Sequence, residues 1–216
     1  MKFVENLQIA IDLFLHLDAY LENFIDSYGE WVYPLTFFIV FLETGFVLTP
    51  FLPGDSLLFV LGAIAATGGL NIHLAAALLI IAAILGDTLN YSLGNYLGPK
   101  VFSNQNSKIF NPMYLSKTQL FFKKHGGKAV VLARFIPILR TYAPFVAGCG
   151  SMRYQSFIFY NIFGAILWVG SIGYAGYFFG GIPFVKNNIS IFILGIVFLS
   201  VSPIILNLLR SRQQKT

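Results

Sequence analysis

After Asp87 the chain contains no acidic residue, and before it the only base is Lys2. Charge of either sign is scarce, at 11% of 216 residues, where soluble domains carry about 25%. The single cysteine, Cys149, rules out an intramolecular disulfide, and its apolar setting marks it as a packing residue. Histidine is limited to His16, His73 and His125. There is no HExxH pair, no Walker loop, no Gly-rich dinucleotide turn and no histidine-based lipid phosphatase pattern. Gly54-Asp55-Ser56-Leu57-Leu58 spells the start of a serine esterase block. A serine nucleophile is inert without a base, however, and no histidine follows an Asp at the Asp-x-x-His spacing those enzymes use. An enzyme is not expected, nor a cofactor, a metal or a nucleic-acid partner.

What the sequence has in abundance is apolar surface. Hydrophobic residues make up 56% of it and the mean hydropathy is +0.73, the composition of an integral membrane protein. All nine acids lie at or before Asp87, and thirteen of the fourteen Lys and Arg lie after it. Glu43, Asp55, Asp87, Arg134 and Arg140 sit inside stretches that are otherwise nearly all apolar. One Arg or Asp at the middle of a membrane helix costs roughly 2.5–3.5 kcal/mol. Five unpaired charges would cost on the order of 12–17 kcal/mol, which exceeds the stability of most folds. They must therefore be paired, protonated or wetted, and each of those points to a pathway or binding site. Asp87 is also read evenly as a plain helix–helix hydrogen-bonding group.

Residues 3–30 read as an amphipathic helix with Asp18, Glu22, Asp26 and Glu30 on one acidic stripe, lying at the membrane surface. Acids interrupt this segment and no small-residue cleavage site follows it, so a secretory signal peptide is not expected. From 31 to 69 the chain gives two short apolar runs, broken at Pro50-Phe51-Leu52-Pro53-Gly54-Asp55. The two prolines remove backbone donors. Non-helical backbone at membrane depth survives only under protein or water, so this stretch predicts a re-entrant hairpin. Leu74 to Leu97 predicts a spanning helix, with Asp87, Asn90, Tyr91, Gly94 and Asn95 on one inward polar face.

Residues 99–128 form a basic loop with six lysines, in which Met113–Lys124 reads as a short interfacial helix ended by Gly126-Gly127. Residues 129–152 repeat the hairpin pattern, broken around Arg134-Phe135-Ile136-Pro137 and Arg140. Phe51-Leu52-Pro53 and Phe135-Ile136-Pro137 match, and paired breaks in two halves mark an inverted repeat with its site at the repeat interface. Residues 154–181 and 189–209 predict two further spans, with Gly176 and Gly180 as a helix-packing pair. The basic loop and the basic tail 210–216 then share one side, which the positive-inside rule makes cytoplasmic.

Glu43-Thr44-Gly45, the Pro50–Leu57 block, Gly86-Asp87, Arg134-Phe135-Ile136-Pro137-x-x-Arg140-Thr141 and Ala147-Gly148 together resemble the DedA family. This is the bacterial branch of the superfamily that includes the eukaryotic VTT-domain lipid scramblases. The resemblance implies an all-α integral membrane protein of the bacterial inner membrane. Its fold would be an inverted repeat of two re-entrant helical hairpins, each followed by a transmembrane helix, with a C-terminal transmembrane helix and an N-terminal amphipathic helix. It implies movement of phospholipid or undecaprenyl phosphate between leaflets, linked to the proton-motive force and supporting envelope homeostasis. The family's functional acids map onto Glu43 and Asp55 and its functional arginines onto Arg134 and Arg140, with Asp87 and Tyr91 as further candidates.

An arginine fork holds phosphate bidentately and keeps its proton. The expected partners are therefore lipid phosphate head groups at the arginines and protons at the carboxyls, and a homo-oligomer is compatible with the sequence. In the empty protein Glu43 and Asp55 are expected to pair with the arginines until a lipid phosphate displaces them. The rival class is a proton-coupled ion or osmolyte antiporter.

Overall fold

The computed structural model describes residues 27–46, 54–101, 124–150 and 152–182, together with residues 20, 23, 25, 120 and 185. Most of the expected N-terminal helix, Pro50 and Pro53, the interfacial helix Met113–Lys124 except Leu120 and Lys124, the span 189–209 and the basic tail lie outside them. Among the described residues the regular structure is helical. A short 3₁₀ turn, Gly29–Trp31, leads into α1 (Val32–Gly45), followed by α2 (Gly54–Ala66) and α3 (Ile72–Val101). After these come α4 (Lys128–Ala133), α5 (Pro137–Cys149) and α6 (Tyr154–Gly180). Two of them, over Ile72–Gly98 and Tyr154–Gly180, are long and apolar enough to cross a membrane.

The chain divides into two compact units. The first takes the described residues up to Leu35, then 54–75 and from Ser171 onward. Its centre is α2, in which Gly54 and every residue from Ser56 to Ala65 are buried, as expected of a helix apolar on all sides. Gly68, at φ +88°, ends α2 in the left-handed conformation that only glycine adopts without strain. Asn71 then caps the next helix: its side-chain oxygen accepts from the backbone N–H groups of His73 and Leu74 at 3.0 and 3.2 Å. That cap is why α3 starts at Ile72, two residues before its apolar run suggests.

Backbone meets backbone in this unit where glycines allow it. A Cβ at Gly62 would collide with the Gly173 carbonyl, one at Gly176 with the Phe59 carbonyl, and one at Gly180 with Ala63. Gly176 and Gly180 thus serve helix packing, as their spacing predicts. Gly62→Val is expected to lower the melting temperature by roughly 4 °C or more, because the obstructing atoms are backbone and cannot rotate away. Thermal unfolding in detergent measures it.

The second unit holds residues 36–46 of α1, residues 76–101 of α3, then α4, α5 and α6 up to Gly170. The helix break expected around Arg134–Pro137 is here. Gly126, at φ +60°, turns the chain ahead of α4. Arg134 follows α4, and Ile136 is extended at φ −118° and ψ 109°. A residue before proline is driven to such values, and Pro137 at the first helical position then starts α5 without loss of a hydrogen bond. The interruption is thus three residues, Arg134–Ile136, and Arg140 lies inside α5 rather than in the break. Helix α5 lies against α3 through small residues. A Cβ at Gly94 would strike the Phe145 carbonyl, and one at Gly148 the Tyr91 carbonyl.

Candidate functional site

Within the second unit four of the five embedded charges converge. Glu43 stands in the last turn of α1 with none of its surface exposed. A carboxylate there faces the negative end of the helix dipole and has lost its water, so it needs a cation. Arg140 supplies one: its Nη2 donates to Glu43 Oε1 in a buried ion pair. Arg134, at the turn before Pro137, donates from Nη2 to Asp87 Oδ2 and, at 2.5 Å, to Asn161 Oδ1. Asn161 in turn donates to the Ile84 carbonyl at 3.2 Å, which fixes its orientation.

One aromatic ring serves both arginines. The guanidinium carbon of Arg140 lies 4.6 Å from the centre of the Trp168 ring and that of Arg134 lies 5.8 Å from it. Both are within cation–π range, and Trp168 is fully buried. Two acids, two arginines and an indole therefore make an electrically neutral cluster drawn from α1, α3, α5, α6 and the turn before α5.

Asn90 braces the cluster. Its side-chain amide donates to the Thr44 carbonyl at 3.1 Å and to the Thr141 carbonyl at 2.7 Å. Those carbonyls belong to the residues that follow Glu43 and Arg140, so a single amide ties together the two backbones that carry the ion pair. Gly86 makes room for this, since a Cβ there would collide with Thr44 Oγ1. Asn90→Leu is expected to cost about 2 kcal/mol, a fall of roughly 4–8 °C in melting temperature, measurable by unfolding in mild detergent.

Asp87 Oδ1, Asn90 Oδ1 and Arg134 Nη1 are among the buried polar atoms of this cluster that have no hydrogen-bond partner among the described residues. An orphaned buried polar atom costs about 1–3 kcal/mol, so a polar guest offering both donors and acceptors gains most at this place.

Glu43, Asp87, Arg134 and Arg140 come together, and the carboxylate on Arg134 is that of Asp87. Asp55 belongs to the first unit, in the first turn of α2. Gly54 opens the same helix. Tyr91 is a packing residue: its hydroxyl donates to the Met152 carbonyl and its ring stacks on Phe157 at 4.4 Å. Of the predicted inward face, Asp87, Asn90, Tyr91 and Gly94 are buried, but Asn95 is exposed. At 3.6 residues per turn the eighth position stands about 80° round the helix from Asp87, at the edge of that face. Cys149 is buried and free, its thiol against the Gly94 carbonyl at 3.2 Å.

Sequence reasoning passed over Asn161 and Trp168. Asn161, Gly164 and Trp168 fall at i, i+3 and i+7 of an otherwise apolar helix, a spacing that marks one face. Nothing in that spacing says that two guanidiniums lie on the indole.

The VTT domain family model matches residues 52–178. The chain is 53% identical over 205 residues to Protein DedA of Escherichia coli (strain K12), with 94% of each chain covered. It is 40% identical over 185 residues to an uncharacterized membrane protein of Mycobacterium tuberculosis (strain ATCC 25618 / H37Rv), covering 85% of this chain and 81% of the other. With the inner membrane protein YghB of Escherichia coli (strain K12), identity is 35% over 157 residues, covering 73% and 72%. No solved structure matches the chain.

Proposed function

The chain belongs to the DedA family of VTT-domain membrane proteins, and on that footing we propose that it carries a phosphate-bearing lipid between the leaflets of the bacterial inner membrane, coupled to protons. The observation that carries this reading is the pair of buried arginines, each engaged by its own carboxylate and both resting on Trp168. A carboxylate presents two oxygens to a guanidinium much as a phosphate does. Glu43 and Asp87 therefore occupy the arginines as placeholders, and an arriving lipid phosphate takes the guanidinium edge from them. Breaking a buried pair one partner at a time is expensive. Exchange of one anion for another, with a proton taken up by the displaced carboxyl, keeps the cluster neutral throughout. The orphaned atoms of Arg134, Asp87 and Asn90 offer the guest a donor and two acceptors.

The helix lengths suit this role. Helices α1 and α2, with 14 and 13 residues, reach only about 20 Å each at 1.5 Å per residue, against a hydrocarbon core of about 30 Å. They are proposed as the arms of one re-entrant hairpin, with α4 and α5 as the arms of the other. The basic loop and tail are assigned to the cytoplasmic side, and Asp55 to proton coupling in the other half of the repeat.

The test is leaflet exchange of a labelled polyprenyl phosphate and of phosphatidylethanolamine in proteoliposomes, with and without a pH gradient. Exchange that the gradient drives and that is lost in Glu43→Gln and Arg140→Ala is the expected result. Folded wild-type protein that moves neither lipid but still dissipates the gradient would support the antiporter class instead.

A further inference from the structure

Away from the arginine cluster, the second unit carries a groove of about 580 Å³ along α4 and α5, within the roughly 300–1,000 Å³ of small-molecule sites. Lys124, His125 and Lys128 line it where the chain enters α4. Leu132, Leu139 and Tyr142 line it further along, at 68%, 48% and 43% exposure. The bland reading is a lipid-facing helix pair under lysines that reach toward water. Two observations go beyond it. The surface is a concavity, where the side of a helix is convex. Its two lysines also meet no free acid of their own unit: residues 36–52 and 76–170 contain only Glu43 and Asp87, both buried and both held by arginines. The countercharge has to come from outside this unit, and the adjoining apolar wall favours an anion that brings a hydrocarbon chain.

We propose that this groove binds an anionic amphiphile, a lipid whose phosphate meets Lys124 and Lys128 and whose acyl chain lies along Leu132, Leu139 and Tyr142. The site is separate from the buried arginine pairs and does not depend on their role. The probe is a phosphatidate with a photoreactive acyl chain, added to the full-length protein in detergent, with labelled peptides mapped by mass spectrometry. Labelling is expected at Leu132, Leu139 or Tyr142, displaced by excess dioleoyl phosphatidate but not by dioleoylglycerol or inorganic phosphate. The double variant Lys124→Ala/Lys128→Ala is expected to need about thirtyfold more probe for half-labelling, and Lys124→Arg/Lys128→Arg to behave as the wild type. Both lysines are exposed, so neither variant threatens the fold. Displacement by dioleoylglycerol as effective as by phosphatidate would mean merely a lipid-facing wall. Displacement by inorganic phosphate would mean a plain anion site, and labelling indifferent to the lysines would mean no head-group recognition. Each of these overturns the proposal.

Discussion

Arg140→Ala is expected to destabilise the protein by about 3–5 kcal/mol and to stop lipid exchange. The stability loss follows from what the substitution leaves behind. Glu43 is fully buried at the end of α1, and the substitution removes the guanidinium with which its charge is paired. The cost is thus that of an uncompensated buried ion, which exceeds the net worth of the pair itself. This gives the experiment its internal control. Glu43→Gln/Arg140→Met, which removes both charges at similar volume, is expected to recover most of the lost stability and none of the transport. Unfolding of the wild type, Glu43→Gln, Arg140→Met and the double variant closes a cycle with a coupling of at least roughly 2 kcal/mol. Coupling near zero would mean that the pair is solvated and that its role as a placeholder is mistaken.

Gly148→Val should remove folded protein from the membrane more completely than any conservative change at the charged residues. A Cβ at Gly148 would collide with the Tyr91 carbonyl and come within 2.7 Å of the Asn95 backbone nitrogen. The obstacle is the backbone of α3, so α5 can only move away as a body, and Arg140, about two turns along α5, moves with it. Overpacking costs about 1–3 kcal/mol where side chains can yield, and a value at or above the top of that range is expected here. Gly170→Ala is the matched control. Gly170 has nothing within 4 Å of its virtual Cβ, and alanine in a helix is about 1 kcal/mol better than glycine. Membrane accumulation and melting temperature should therefore fall sharply in the first variant and hold or rise in the second.

How much of this was legible beforehand depends on which physical quantity each element reports. The four charges were legible because a charge in an apolar stretch is costly wherever the chain goes, and cost needs no coordinates. The break before Pro137 was legible for a local reason, since proline restricts its own residue and the one before it. Pairing was harder. Which carboxylate meets which arginine is decided by helix approach, here by Gly86 against Thr44 and Gly148 against Tyr91, and sequence spacing within one helix carries no such information. Asp87 therefore read evenly as a helix-bonding group or a functional one, and the structure places it on Arg134. Trp168 was hidden because an aromatic residue in an apolar helix looks the same whether it faces lipid or two guanidiniums. Asn90 was visible as a polar residue on the right face, but its brace between two backbones is a property of three helices at once.

The central claim is that the buried guanidiniums exchange a carboxylate partner for a lipid phosphate. The measurement that reaches it most directly is nitrogen–phosphorus dipolar recoupling by solid-state nuclear magnetic resonance, on protein with ¹⁵N-labelled arginine in membranes containing a polyprenyl phosphate. The Arg134→Lys and Arg140→Lys variants assign the two signals. Phosphorus dephasing is expected at the Arg140 or Arg134 guanidinium, vanishing in the corresponding variant and absent when diacylglycerol replaces the phosphate lipid. Protein that moves the polyprenyl phosphate in the same membranes while neither guanidinium senses phosphorus would contradict it.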